Sequence, residues 1–124
     1  MIFRDKQHEE IFNEIYNRMR THDCYYKPVA YLIALDTVCR EHIEDIFDFE
    51  EHAINPDCLV KGWQTSTSLR TCRLAFNLYN GYCYDDEEEQ EPSSNYTPDS
   101  LFCTGYAPYY WQAIKLRYPE FTEE

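Results

Sequence analysis

Apolar residues recur at three- and four-residue steps over most of the chain, which is the spacing of an amphipathic helix. The first such stripe lies between Asp5 and Arg20, with Asp5 suited to cap the helix. A second predicted helix has Pro28 in its first turn and continues through Val29–Leu35, which is apolar on every side. A helix without a polar face is buried all round, so we expect this segment at the centre of the fold.

Shorter and less regular elements follow the central helix. The dipeptide Asp36–Thr37 interrupts the apolar run and can cap a third helix that extends to about Phe47. Between Phe47 and Gly62 the pattern is weaker, and Asn55–Pro56 predicts a one-turn helix there. We expect Gly62 to close that turn in the left-handed conformation.

The second half of the chain predicts two long helices and one short one. Thr65–Ser68 offers several N-caps for a long helix that Gly81 ends. Thr97–Ser100 predicts a short helical turn, and a last helix begins at Pro108 and ends at Pro119. Residues 1–124 therefore read as one compact, all-α domain of about four long helices and two short helices.

The segment 82–96 departs from this pattern. It contains six acidic side chains within the seven residues 85–91, followed by Pro92. Like charges repel one another and no apolar residue anchors the run, so we expect a mobile acidic loop over 82–96. The tail 120–124 is also acidic, and we expect it to fray.

Charge narrows the class of partner. Eleven Lys and Arg face 23 Asp and Glu, which gives a net charge of −12. Such a chain repels phosphate backbones and anionic membranes, and it attracts basic surfaces, such as those of proteins that hold nucleic acid. In extended backbone of about 3.3 Å per residue, the run at 85–91 carries one charge about every 4 Å, near the roughly 3.4 Å spacing of phosphates along one strand. Nucleic-acid mimicry is thus one interpretation, and acidity that only confers solubility is the other.

The cysteines and the chain start indicate a cytoplasmic protein. Charged residues occur within the first few positions, and there is no apolar stretch like that of a signal peptide. The longest apolar run has seven residues, which is too short to span a membrane. No two cysteines form a Cys-x-x-Cys pair, so we expect six reduced thiols, most of them small core side chains. These are Cys24, Cys39, Cys58, Cys72, Cys83 and Cys103.

One titratable cluster on the third helix has metal-ligand chemistry. Cys39 and Asp45 each lie three residues from His42, so the three side chains can share a helix face. Thiolate, imidazole and carboxylate are all zinc ligands. A zinc site requires further ligands from another element, and a core cysteine beside a surface histidine explains the same residues. We therefore predict no metal here and keep the site as an alternative.

Several stretches carry a resemblance to a known family. They are Gly62–Thr65, Arg73–Leu78, Tyr106–Trp111, Ala113–Pro119, and Arg40 and His42 followed by Ile46–Asp48. The chain resembles a domain-of-unknown-function family of short acidic proteins from Firmicutes, their phages and their conjugative elements. The resemblance covers nearly the whole chain and brings no catalytic residue with it. It implies a mobile-element context, in which small acidic proteins are often inhibitors of host defence, including anti-CRISPR proteins.

These observations predict a non-enzymatic, cytoplasmic interaction protein without a cofactor. We expect it to bind a basic host protein that handles nucleic acid, and to bind neither nucleic acid nor a membrane directly. The predicted contact residues are the acidic run and the acidic side of the third helix: Asp85, Asp86, Glu87, Glu88, Glu89, Glu91, Glu41, Glu44, Asp45 and Asp48. Two alternatives stay open, namely a small metal- or ligand-binding protein centred on Cys39, His42 and Asp45, and a regulatory or structural module of the element.

Overall fold

A computed structural model describes residues 1–83 and 93–122, most of which are helical. In chain order the elements are α1 (Lys6–Arg18), α2 (Tyr26–Leu35), α3 (Thr37–Glu41), α4 (Ile43–Ile46), β1 (Phe47–Asp48), β2 (Ala53–Ile54), a 3-10 turn (Pro56–Val60), α5 (Ser66–Asn80), a second 3-10 turn (Ser93–Tyr96), α6 (Pro98–Leu101), α7 (Ala107–Arg117) and α8 (Pro119–Thr122). The predicted helical class and its four long helices are confirmed. Within the described ranges, no helix has the length and apolar character needed to cross a membrane.

The central position predicted for the second helix is confirmed. Every residue from Pro28 to Leu35 is buried, and α2 packs against α1, α5 and α7. The helix begins at Tyr26, so Pro28 lies in its first turn, where a missing N–H breaks no hydrogen bond. Burying one such Leu or Ile side chain stabilises a fold by roughly 1.5–3 kcal/mol, so the buried side chains of α2 contribute strongly to the stability of the core.

The first helix follows its sequence pattern closely. The Asp5 carboxylate caps α1 by accepting a hydrogen bond from the His8 amide at 2.7 Å. Phe12 and Ile15 are buried against α2, as the apolar stripe predicted. The helix ends at Arg18, two residues earlier than expected, because Met19 takes an extended conformation that places its side chain in the core.

The predicted third helix is wrong in its length. α3 ends after five residues, and His42 breaks the helix with φ −129° and ψ 34° before α4 begins. Phe47 then leaves the helix to pair with Ile54 in a two-residue antiparallel hairpin. The break depends on contacts with residues distant in sequence, among them Trp63, whose ring stacks on the His42 ring. Local periodicity carries no signal for such contacts.

The hairpin and the turn after it also refine the prediction. The Asp48 carboxylate accepts the amides of Glu50 and Glu51 and so closes the β1–β2 turn. The short helix predicted at Asn55–Pro56 is present as the first 3-10 turn. Gly62 does not adopt the expected left-handed conformation, because the turn closes instead through the Lys61 amide, which donates to the Cys58 carbonyl.

Capping residues delimit α5 as predicted. Thr65 and Ser68 form a reciprocal capping box, and Gly81 ends the helix with φ 78°. Gly81 is needed there because a residue with a Cβ is strained at that angle.

The C-terminal third contains more regular structure than expected. Residues 93–96 of the predicted 82–96 loop form a 3-10 turn. Pro119 does end α7, yet it also begins the short α8, so residues 120–122 of the expected frayed tail are helical. Proline has the fixed φ that a first helical turn requires, which explains both roles.

Candidate partner-binding surface

Arginine side chains lie against main-chain carbonyls at helix ends. Arg40 Nε and Arg4 Nη1 donate to the last carbonyls of α2, those of Ala34 and Leu35, at 2.6 Å and 3.2 Å. Arg117 Nε donates at 2.8 Å to a carbonyl near the end of α5. A cation is favourable at a helix C-terminus because the carbonyl dipoles point there. These three positive charges therefore stabilise the fold.

Two other arginines also donate to main-chain carbonyls. Arg20 Nη2 donates to the Glu50 carbonyl at 3.2 Å, and Arg70 Nε donates to the Ser100 carbonyl at 3.1 Å. The acidic side chains are distributed in the opposite manner, since among the carboxylates in the described ranges only Asp36 is buried. The described surface is consequently dominated by negative charge.

The four acidic residues predicted on the third helix are all exposed, but they divide into two settings. Glu41, Glu44 and Asp45 line a depression of about 290 Å³ at the α3–α4 break, together with Arg40, His42 and Ile43. We call these three residues, together with His42, the α3–α4 acidic surface. Asp48 lies outside it, in the hairpin turn.

Two of the three carboxylates also have intramolecular partners. Glu44 Oε1 pairs with Arg18 Nη2 at 2.8 Å, and both side chains are well exposed. Asp45 Oδ2 lies 3.3 Å from His42 Nδ1. Exposed pairs of this kind contribute about 0–1 kcal/mol, so both carboxylates are available to a partner at little cost.

An aromatic pair borders this surface. The His42 and Trp63 rings stack with centroids 4.0 Å apart and planes 3° from parallel. The stack fixes the orientation of the imidazole beside the carboxylates. Flat aromatic faces next to carboxylates suit a guanidinium group, which stacks on rings and pairs with carboxylates in its own plane.

The acidic run lies outside the described residues. This covers the predicted contact residues Asp85, Asp86, Glu87, Glu88, Glu89 and Glu91. Of the predicted contact surface, the structure therefore locates the part on α3, α4 and β1.

The candidate metal cluster required Cys39, His42 and Asp45 to share one helix face. In the structure, Cys39 does not lie on the face of the other two residues. Its side chain is buried, and its Sγ lies 3.8 Å from Cys72 Sγ on α5. The break at His42 turns the imidazole and Asp45 toward the surface instead. In residues 1–83 and 93–122, no group of three or more His, Cys, Asp or Glu side chains is arranged to hold a metal ion.

A family comparison identifies the chain. The sequence profile of one family matches residues 1–124. The chain belongs to DUF6075, a family of unknown function. Comparison with curated proteins and with solved structures gives no match. The predicted relation to an uncharacterised family is thus confirmed, and any function for this DUF6075 member must be argued from its own residues.

The cysteines of this DUF6075 chain are all free thiols, and all six lie in the described ranges. Cys39, Cys58 and Cys72 are buried together, as expected of small core side chains. Hydrogen bonding to Cys72 and burial both raise the pKa of the Cys39 and Cys58 thiols, so these two stay protonated. Cys24 and Cys83 are half-buried, and Cys103 is exposed.

Sequence reasoning did not single out His8, whose imidazole is completely buried. A signal was present, because His8 lies four residues before Phe12 and seven before Ile15, on the apolar stripe of α1. A polar side chain on a core-facing stripe is buried only if its polar atoms have partners. The arrangement of those partners is considered below.

Proposed function

We propose that this DUF6075 protein is a non-enzymatic, cytoplasmic inhibitor that binds a basic, nucleic-acid-handling host protein. The concrete form is an anti-defence protein, of the anti-CRISPR or a related type, encoded by a phage or conjugative element of Firmicutes. It acts by covering a surface that the host protein needs for nucleic acid.

One observation supports the proposal, namely that arginine and carboxylate side chains have different positions in the fold. Arginines are committed to carbonyls at helix ends, while nearly all described carboxylates face solvent. Among the described residues, negative charge therefore dominates the outside of the molecule. Opposite charge on a partner accelerates association and excludes neutral or acidic competitors.

The α3–α4 acidic surface supports a partner that presents arginine. Its three carboxylates and Arg40 line a depression large enough for a side chain, and the His42 ring in that lining stacks on Trp63. Nucleic-acid-binding proteins carry arginine on the surface that contacts phosphates. The same side chains that bind phosphate would pair with these carboxylates.

The test begins with capture from a Firmicutes lysate on immobilised protein, with elution by increasing salt. The retained protein is purified, and its affinity is measured against salt and against competing duplex DNA. The test variant combines Glu41→Gln, Glu44→Gln and Asp45→Asn. The matched control combines Glu9→Gln, Glu10→Gln and Glu14→Gln, which removes three exposed charges from α1 instead.

We expect the test variant to bind at least tenfold more weakly at low salt, with the control within about twofold of the wild type. Wild-type protein should displace DNA from the partner, and the test variant should do so poorly. Equal losses in both variants would show that binding depends only on total charge. A partner that binds DNA and this protein at the same time would contradict inhibition by surface covering.

A further inference from the structure

The N-terminal flank of α1 is fastened by a buried imidazole. The Arg4 amide donates to His8 Nδ1 at 3.0 Å, and His8 Nε2 lies 2.9 Å from the Tyr31 carbonyl of α2. Since Nδ1 accepts a hydrogen bond, the ring proton is on Nε2, which donates to that carbonyl. The ring is neutral in this arrangement, because a protonated imidazole has no acceptor to offer.

The segment that His8 holds makes many contacts with the helices. Phe3 packs on the rings of His8, Phe12 and Tyr31, at centroid distances of 5.2–5.9 Å. The Ile2 carbonyl accepts from the Tyr31 hydroxyl at 2.7 Å. The segment before α1 thus covers one side of the core, and the His8 bond lies in the middle of these contacts.

The C-terminal flank of α1 is fastened by the same chemistry. The Arg20 amide donates to His52 Nε2 at 3.0 Å. His52 lies in the β1–β2 turn with φ 60°, and its ring stacks on Tyr26 at 4.4 Å. This bond also requires an imidazole nitrogen without a proton, and it ties the end of α1 to the hairpin.

The surroundings of both rings oppose a positive charge. His8 is faced by Asp5 and by the cations Arg4 and Arg40, with Tyr31 and Tyr109 as the other titratable neighbours.

Around His52 the arrangement is similar. Arg20 and His22 disfavour protonation, Asp23 favours it, and Tyr26 lies across the ring. At each site burial is the largest effect and disfavours a charged ring, the nearby arginines act in the same direction, and a single carboxylate acts against them.

We propose that the two neutral imidazoles form a pH-sensitive closure of α1, which opens at both flanks when the rings take up a proton. Protonation removes the acceptor of the Arg4 amide at one end and of the Arg20 amide at the other. Opening lets the imidazole, now charged, reach water. The released segments uncover Phe3 and the aromatic side chains beneath it.

The direction of the pKa shifts agrees with this closure. Desolvation lowers the pKa of both His8 and His52 below the ordinary value of 6.5. The open form therefore binds one more proton than the closed form at each site as the pH falls from 6.5 toward the lowered value. The opening constant then increases by up to about tenfold per pH unit.

The test is amide hydrogen exchange of the wild-type protein, with protection factors normalised to the intrinsic rate at each pH. Between pH 7.5 and 5.5 most carboxylates remain ionised. We expect protection at Arg4 and Arg20 to fall by up to about fivefold between pH 6.5 and 5.5. The α5 amides of Cys72 and Phe76 report global unfolding, and they should stay better protected than the two arginine amides at every pH. Protection at the two arginine amides that is unchanged over this interval, or that equals the protection of the α5 amides, would overturn the proposal.

Two variants at one end of α1 sharpen the test. In His52→Gln the side-chain oxygen can accept from Arg20 without titrating, so the pH dependence should disappear at Arg20 and persist at Arg4. The control is His22→Gln, because His22 Nε2 lies 2.8 Å from the Tyr16 carbonyl and serves as a donor whether or not the ring is charged. Loss of the Arg20 response in His22→Gln, or its survival in His52→Gln, would contradict the role assigned to His52.

Discussion

The helix α2 and the segment 37–47 are each predicted as one helix from their apolar positions, and they fold differently. α2 is buried on every side by α1, α5 and α7, so its ten residues form one uninterrupted helix. The segment 37–47 is buried on one side only, and it breaks at His42 where distant residues offer other contacts. Apolar spacing therefore specifies a helix reliably when the surroundings are uniform, and less reliably at the edge of the core.

The largest expected effect distinguishes the two segments by core burial. Leu32→Ala in α2 removes a completely buried side chain, and we expect a loss of about 3 kcal/mol in the free energy of unfolding. Ile43→Ala in α4 removes a half-buried side chain and should cost about 1 kcal/mol. Urea unfolding of both variants checks the difference. Equal losses would mean that the 37–47 segment is as central as α2.

A second comparison concerns the two kinds of arginine. Arg40 has a side chain 9% exposed and bonds the end of α2, so Arg40→Ala leaves a buried carbonyl unpaired. We expect a cost of about 2 kcal/mol. The Arg18 side chain is 44% exposed and pairs with Glu44 of α4. Arg18→Ala should cost at most about 1 kcal/mol by the same urea measurement, and a reversed order would contradict the account of arginine as an internal support.

The free energy of unfolding should also decrease in mild acid, because the His8 imidazole is buried. The pKa of His8 is lowered in the folded state, so the unfolded chain binds more protons once the pH falls below 6.5. Stability is therefore complete above 6.5 and decreases toward pH 5.5, by up to about 1.4 kcal/mol per pH unit for this one imidazole. Unfolding curves at pH 7.5, 6.5 and 5.5 check the slope. Stability that increases over this interval would show that another group dominates.

The smallest expected effect on stability belongs to the acidic run. Replacing Asp85, Asp86, Glu87, Glu88, Glu89 and Glu91 with Ser or Gln should change the free energy of unfolding by less than about 0.5 kcal/mol, since none of the six side chains is apolar and their like charges repel one another. Association with the captured partner should slow at low salt, as measured by surface plasmon resonance. Unchanged association would assign the binding surface to α3–α4 alone.

Local features of the sequence predicted the caps and the long helices. Asp5, Thr65 and Gly81 delimit their helices by interactions within a few residues, which any reader of the chain can infer. The break at His42 and the conformation of Gly62 were not predictable in this way. Both depend on how the chain closes in space after the helices pack.

The candidate surface also has some features that the sequence predicts and others that only the tertiary structure shows. The exposure of Glu41, Glu44 and Asp45 follows from their polar positions on an amphipathic pattern. Their position around one depression, beside a stacked His42 and Trp63, requires the break and a contact across 21 positions of sequence. The separation of Cys39 from His42 has the same origin.

The sequence by itself determined the helical class, the central place of the 28–35 run and the excess of negative charge. These depend on residue type and local spacing, which act over a few residues. Only the tertiary structure decided which charged side chains form bonds within the fold and which lie on the surface. Arg40 and Arg117 reach carbonyls of other helices, and His8 and His52 accept from amides at opposite ends of α1. Such partners are set by packing, because hydrogen bonds form between groups that burial brings together and deprives of water.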